Sequence, residues 1–402
     1  MDLLSQQLSA KEKLINKKVG ALFMEAGTGK TRVALELVNS IPGIDLVLWI
    51  APLGTIRDGS ECVKNEIHKW GGFKCNAHYV GIESIGQSDR IYLETLAIIG
   101  KAKTPCVVID ESIKIKNISA QRTNRALEIS KKTEYKLILN GTPLSRNLLD
   151  LWAQMEFLSP QILNMDIAEF KNTFCKYQTV TYKHGRRSFS KEYITGYENI
   201  DYLHSLIDDF IYECDLSLDV ETRYSELKYR LDEYDHAEYA SIKQHMLENE
   251  YLLHGNGNFF LSMTQKMQHS YCCTPNKFEV LDAWFENHDQ ATTIIFCKFI
   301  RSQRECSERY PKAKVLSYQK HSFGLNLQEY NSTVYFDKTF DWALRNQSGN
   351  RTYRTGQKED CKYLDLTGDV GLESLIDKNI REKVNMIEYF KMKAITEIKK
   401  DL

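Results

Sequence analysis

Four short apolar runs in the first part of the chain each stop at polar or glycine-rich residues. That pattern restricts the fold more than any other feature. Val19–Phe23 is followed closely by Gly27-Thr28-Gly29-Lys30-Thr31. Asp45–Ala51 ends at Pro52, Cys106–Ile109 at Asp110-Glu111, and Leu137–Leu139 at Asn140-Gly141-Thr142-Pro143. Helical patterns lie between them, as in Val33, Ala34, Leu37 and Val38. Apolar runs of this length that do not alternate read as strands buried on both faces, and strands interleaved with helices read as a parallel α/β sheet. Ligands of such sheets sit beyond the carboxyl ends of the strands. All four polar clusters fall there.

The same signature returns after Lys277, with Thr292–Phe296 and with Thr333–Phe336 running into Asp337. The chain closes on Leu372, Ile376, Ile380, Val384, Ile387, Ile395 and Ile398, mostly at three- and four-residue steps. This predicts one or two amphipathic helices packing across a domain. Residues 156–276 carry little strand signal. Tyr234–Leu253 reads as helix, and the alternation of Thr179–Tyr193 about Lys183-His184-Gly185-Arg186-Arg187 reads as a hairpin. At roughly 100–200 residues per domain, the 402 residues divide three ways. An α/β lobe covers 1–155, a mainly helical insertion or linker with a basic hairpin covers 156–276, and a second α/β lobe with a C-terminal helix covers 277–402.

Composition bounds partners rather than fold. Lys and Arg number 53 against 54 Asp and Glu, a formal net charge of -1. Nucleic acid, if bound, is therefore held by a local basic patch. Ten cysteines contain no C-x-x-C, so no zinc site is expected, and a reduced cytoplasmic protein is the simplest reading. The first twenty residues are too polar for the apolar core of a signal peptide. No stretch approaches the ~20 apolar residues of a membrane span, so no membrane partner is expected.

Three motifs carry chemistry. In Ala26-Gly27-Thr28-Gly29-Lys30-Thr31 the glycines let backbone N–H groups wrap phosphate oxygens at a helix N-terminus. Lys30 would reach the β- and γ-phosphates and Thr31 would hold Mg²⁺. Met24 stands where the strict phosphate-loop pattern has its first glycine. Asp110, at the end of its run, can hold Mg²⁺, and Glu111 can orient or deprotonate water. Their strand is expected beside the one that precedes the phosphate loop. Arg351 and Arg354, three residues apart and expected on one helical face, offer planar guanidinium groups suited to a developing phosphate charge. A solvated helix face would produce the same spacing.

In this order the segments resemble the helicase superfamily 2 motif series, and most of all its Swi2/Snf2 branch. Gln347-x-x-x-Arg351-x-x-Arg354-x-Gly356-Gln357 resembles that branch's last motif. Asp110-Glu111-Ser112 with Ile115-Lys116-Asn117 resembles its second, with Ser112 and Lys114 near the usual histidine. Ala51-Pro52-Leu53, Ile294-Ile295-Phe296 and Phe323–Gln328 resemble motifs Ia, IV and V, and Asn140-Gly141-Thr142-Pro143 resembles T-G-T-P with Asn in the first place. The resemblance covers roughly residues 20–155 and 277–380. It implies two RecA-like lobes with ATP and Mg²⁺ in the cleft between them. It also implies ATP hydrolysis coupled to movement along double-stranded DNA, without strand separation. Gly27, Thr28, Gly29, Lys30, Thr31, Gln347 and Gln357 would bind ATP, and Thr31 and Asp110 the metal. Glu111, Arg351 and Arg354 would be catalytic, the arginines as fingers from the second lobe. Pro52, Thr142 and Asn326 would face DNA, as would Lys183, Arg186 and Arg187 of the hairpin, for which a solvated turn is the plainer account.

Departures from the family pattern set further expectations. Only 27 residues separate Phe296 from Gly324, where the family has a longer stretch with a strand and an arginine-bearing helix. The second lobe is therefore expected to be trimmed. The adenine-reading glutamine has Gln7 as its candidate, without the usual aromatic neighbour. A form this compact resembles copies carried by bacteriophages and prophages, which would place it in the cytoplasm of a bacterial host. Two rival readings remain: a strand-separating superfamily 2 helicase, and an ATP-gated DNA-binding scaffold with weak hydrolysis. A protein partner is left open.

Overall fold

Strands β1 (Val19–Met24) and β2 (Leu46–Ala51) are almost wholly buried, as strands covered on both faces must be. With β3 (Asn76–Gly81), β4 (Pro105–Asp110) and β5 (Tyr135–Asn140) they belong to the first of two units, Met1–Leu216 and Ser217–Leu402. The first unit also holds an antiparallel hairpin, β6 (Cys175–His184) with β7 (Arg187–Tyr197), and a short strand β8 (Ile211–Cys214). This computed structural model describes residues 3–56, 62–141, 148–184, 187–248, 257–318 and 327–381.

The first sheet is six-stranded, in the order β3-β2-β4-β5-β1-β8, with every pairing parallel. Successive residues of a strand point to opposite faces, so each run feeds two cores. Leu22, Met24, Val47, Trp49 and Val108 meet helices α1 (Ser5–Leu14) and α2 (Lys30–Ser40) on one face. Phe23, Leu48, Ile50, Val107 and Ile109 meet Ile129, Leu151 and Met155 of helices Gln121–Ser130 and Leu149–Leu158 on the other. Full burial of each such side chain is worth about 1.5–3 kcal/mol.

The second unit contains β9 (Thr222–Tyr229), β10 (Thr293–Cys297), β11 (Lys314–Ser317), β12 (Ser332–Tyr335) and β13 (Cys361–Gly368). They form a parallel sheet in the order β11-β10-β12-β13-β9. Helix Gly371–Arg381 buries Leu372, Leu375 and Ile376, the first part of the closing apolar pattern. Ile380 is half-buried against the same core, and the pattern from Val384 onward lies outside the described residues.

Three expectations meet a different arrangement. Residues 156–276 are divided between the units: β8 joins the first sheet beside β1, and β9 joins the second beside β13. The interval after Phe296 is not bare. It holds helix Ile300–Arg309, with Arg301, Arg304 and Arg309, and then β11. A four-residue strand and a ten-residue helix fit in a short stretch. And β4 is not next to β1, because β5 lies between them.

The second sheet is closed by a buried ion pair. Lys277 Nζ donates to Asp337 Oδ1 at 3.0 Å and to the Cys272 carbonyl at 3.2 Å. Asp337 Oδ2 accepts the backbone N–H groups of Lys298 (2.9 Å) and Phe299 (3.3 Å). Burial opposes the Lys277 charge, but Tyr229, Asp337 and Glu373 outweigh it and raise its pKa. Lys277→Met leaves a buried carboxylate without its cation. We expect a loss of about 3–5 kcal/mol, the cost of breaking a buried pair, read as a lower urea midpoint.

Candidate functional site

Gly27 and Gly29 have φ of +90° and +88°, a region that L side chains rarely adopt. A Cβ on Gly29 would also stand 2.1 Å from Gln7 Nε2. The two glycines turn the chain from β1 into α2 and leave that helix's N-terminus at the carboxyl edge of the sheet, where it favours an anion. The turn is held from several sides. Thr28 Oγ1 donates to the Glu25 carbonyl at 2.7 Å. Gln7 Nε2 donates to the Thr28 carbonyl at 3.0 Å, and Gln7 Oε1 accepts Leu4 N–H at 3.1 Å. Gln7, expected as a base reader, thus has its amide engaged in clasping the loop. Lys30 Nζ rests on the carbonyls of Met24 (2.7 Å) and Glu25 (3.1 Å). Thr31 follows on α2, half-buried.

Asp110 ends β4, and its Oδ1 accepts the N–H of Glu111 at 3.0 Å. Burial, then the neighbouring Glu111 charge, pushes the Asp110 carboxyl up to about 7, while Lys30 pulls it down. Glu111 has φ of +56°, unusual for a residue with a side chain. Its Oε2 is buried without a hydrogen-bond partner. Behind it, buried Ser112 donates through Oγ to Gln154 Oε1 at 2.5 Å. Ser112 thereby ties the acidic pair to helix Leu149–Leu158. Between the two motifs, Gly141 follows β5. A Cβ there would lie 3.8 Å from Ala26 N and 3.9 Å from Lys30 Nζ. These are ordinary van der Waals distances, so the end of the strand that separates β1 from β4 lies directly against the phosphate loop.

Pro52 is buried at the carboxyl end of β2, and the next N–H, of Leu53, is held by Glu83 Oε2 at 2.9 Å. Thr142, Asn326 and Arg186 lie outside the described residues. Lys183 and Arg187 are placed at the tip of the hairpin, paired as residues of β6 and β7 through His184 and Ser188. Their side chains are outside the described set.

In the second unit, helix Trp342–Gly349 carries Gln347 and ends there. Arg351 and Arg354 follow in successive turns rather than on one helical face, with Thr352 N–H bonded to the Gly349 carbonyl and Gln357 N–H to that of Arg354. Three- and four-residue spacing also suits turns. Arg351 is buried and Arg354 half-buried. Gln347 Oε1 is buried without a hydrogen-bond partner. Gln357 is committed to backbone groups on both sides of its amide. Its Nε2 donates to the carbonyls of Tyr330 and Thr352, and its Oε1 accepts the N–H groups of Lys358 and Glu359.

An SNF2-related domain is matched over residues 78–272. The chain is 29% identical over 187 residues to the ISWI chromatin-remodeling complex ATPase ISW1 of Saccharomyces cerevisiae, covering 41% of this chain and 16% of that protein. It is 23% identical over 358 residues to a Mycoplasma pneumoniae protein named as an uncharacterized ATP-dependent helicase, covering 75% and 33%. Among solved structures it is similar to the Sulfolobus solfataricus SWI2/SNF2 ATPase core in complex with dsDNA. There the identity is 18% and the TM-score 0.45, with 100% of this chain and 97% of that chain covered. The family match and these relatives agree in being of the Swi2/Snf2 kind. The chain spans a third or less of the length of these two curated relatives.

The raised Asp110 pKa has a sign that can be tested. An Asp carboxyl normally ionises near 3.9, so between roughly pH 4 and 7 the native state holds a proton that the unfolded chain has lost. Stability of the nucleotide-free protein then falls as pH rises through that window. Asp110→Asn removes this loss. In Tm measured against pH, we expect the variant to melt above the parent at pH 8 and the two curves to converge near pH 4.

Proposed function

We propose that the chain is an ATP hydrolase of the Swi2/Snf2 type that uses hydrolysis to translocate on double-stranded DNA without separating the strands. The observation that carries the reading is the shared edge of the first sheet. There Lys30 and the phosphate loop lie within electrostatic reach of Asp110, and Glu111 is held in a left-handed conformation beside it. Buried, unmatched acidity next to a phosphate-sized glycine turn suits a nucleotide phosphate with a divalent cation. The SNF2-related match and the resemblance of the motif series support the same reading.

On this reading Gly27, Thr28 and Gly29 turn backbone N–H groups toward phosphate, and Lys30 leaves its two carbonyls for the β/γ-phosphates. Thr31 and Asp110 would hold Mg²⁺, which when bound screens the phosphate charge. Glu111, with an unengaged oxygen, orients the attacking water and takes up its proton. Arg351 and Arg354 are the second unit's candidates for countering charge on the transferring phosphoryl group, and Gln347 accompanies them. Gln357 serves by shaping that loop. Pro52, Thr142, Asn326, Lys183, Arg186 and Arg187 are proposed for the DNA backbone. Ten free thiols suit the reducing cytoplasm of a bacterial host.

Two measurements test this. Lys30→Ala should largely abolish turnover while DNA binding persists. Glu111→Gln should keep nucleotide affinity and lower hydrolysis by roughly 10²-fold or more. Unimpaired turnover in both would remove the assignment. For the substrate, duplex DNA should stimulate hydrolysis more than single strands do. The protein should displace a triplex-forming third strand with ATP while leaving a forked duplex paired. Efficient fork unwinding without third-strand displacement would favour the helicase, and turnover indifferent to DNA would favour the scaffold.

A further inference from the structure

One residue just ahead of the phosphate loop reaches far beyond it. Glu25 follows β1, and its N–H donates to the Cys214 carbonyl at 2.9 Å. Its carboxylate Oε2 accepts the N–H of Leu216 at 2.8 Å, across 191 residues of sequence. Its carbonyl accepts Thr28 Oγ1 at 2.7 Å and Lys30 Nζ at 3.1 Å. Leu216 is the last residue of the first unit, and Ser217 begins the second. The contact is set by sheet order. β8 is the edge strand beside β1 and runs parallel to it, with Met24 opposite Cys214. The chain therefore leaves the first unit at the point where the phosphate loop begins.

We infer that Glu25 is a positioning residue that couples occupancy of the phosphate loop to the segment Cys214–Leu216 leading into the second unit. The inference rests on the nucleotide reading above and adds a route out of that site. With the loop as described, the Lys30 ammonium helps to fix the Glu25 peptide, and Glu25 fixes Leu216. A phosphate that draws Lys30 away removes one of the donors holding the Glu25 carbonyl. The carboxylate bond to Leu216 is then carried by a less constrained residue. Bonds from N–H to a carboxylate are strong and directional, so the change is felt at the Leu216 amide rather than dispersed. The residue's part is mechanical: it touches no reacting atom.

The experiment follows hydrogen exchange at the Leu216 amide in the full chain, with and without Mg²⁺ and ATPγS, alongside equilibrium nucleotide binding. In wild-type protein, exchange at Leu216 should accelerate about tenfold or more when ATPγS binds. In Glu25→Ala it should be fast in both states, with nucleotide affinity within about threefold of wild type. DNA-stimulated kcat should fall at least tenfold while KM for ATP holds. Glu25→Gln keeps an acceptor oxygen and should restore both protection and stimulation, which a merely structural loss would not predict. Wild-type protein that binds ATPγS while Leu216 exchange stays unchanged or slows overturns the inference alone, as does full stimulation in Glu25→Ala. Collapse of nucleotide affinity in Glu25→Ala also overturns it, making the residue part of the binding loop. Wild-type protein that binds no ATPγS overturns the nucleotide reading and this inference with it.

Discussion

A parallel strand pair cannot be closed by a tight hairpin; the chain must cross over and start again from the same end. Each crossing returns the carboxyl end of a strand to one edge of the sheet. In the first unit that rule gathers Glu25 to Thr31, Pro52, Asp110 to Ser112, Gly141 and Leu216 at a single edge, although they are spread over most of the unit's sequence. The site exists because six parallel strands are buried together, and it persists only as long as the two apolar faces of the sheet are covered.

Two acidic residues near strand ends show how such an edge is either closed or left open. Asp337, just past β12, is buried and satisfied: a lysine ammonium on one oxygen and two backbone N–H groups on the other. Nothing there is left for a ligand, and the group works as a clamp on the turn after β10. Asp110 at the end of β4 accepts a backbone N–H from its own neighbour and stands beside a second carboxylate with an unpartnered buried oxygen. Buried polar groups are normally satisfied, and exceptions concentrate where a ligand completes them. The left-handed backbone at Glu111 adds to the case, since strain of that kind is retained where it holds a side chain in a working position.

The sequence made the interior legible and left the edges out. β1, β2, β4, β5, β10 and β12 announce themselves as apolar runs because both faces of each are covered. The four edge strands β3, β8, β9 and β11 do not: Thr222–Tyr229 is mostly exposed, and Ile211–Cys214 and Lys314–Ser317 are only four residues long. The interior β13 escapes notice because Lys362 and Asp365 interrupt its run. Sheet order is likewise invisible to a strand-by-strand reading, so β4 was expected against β1 until β5 is seen between them. Within the site, the glycine turn and the acidic pair could be read from residue type alone. Gln7 on Thr28 and Glu25 on Leu216 could not, since each depends on a helix or strand arriving from elsewhere. Gln357 fitted the spacing of a ligand contact, yet its amide is consumed by backbone groups of its own loop and of Tyr330.

On the proposed nucleotide reading, the resting state of Lys30 would let a loop this small discriminate an occupied from an empty site. Its ammonium is satisfied by two backbone carbonyls rather than left waiting in water. A phosphate must replace two neutral acceptors with charged ones, which form bonds roughly twice as strong. The exchange is favourable for a polyphosphate and weak for a neutral ligand. It also moves the cation that lowers the pKa of the Asp110 carboxyl. Displacing Lys30 without bringing a compensating cation would leave that carboxylate more costly than before. If the proposed ligand binds here, a metal-bound nucleotide would supply both the anion that attracts Lys30 and the cation that replaces it, whereas bare phosphate would supply only the first. Selectivity for the metal complex can therefore arise from the shared edge itself, without a dedicated contact to discriminate it.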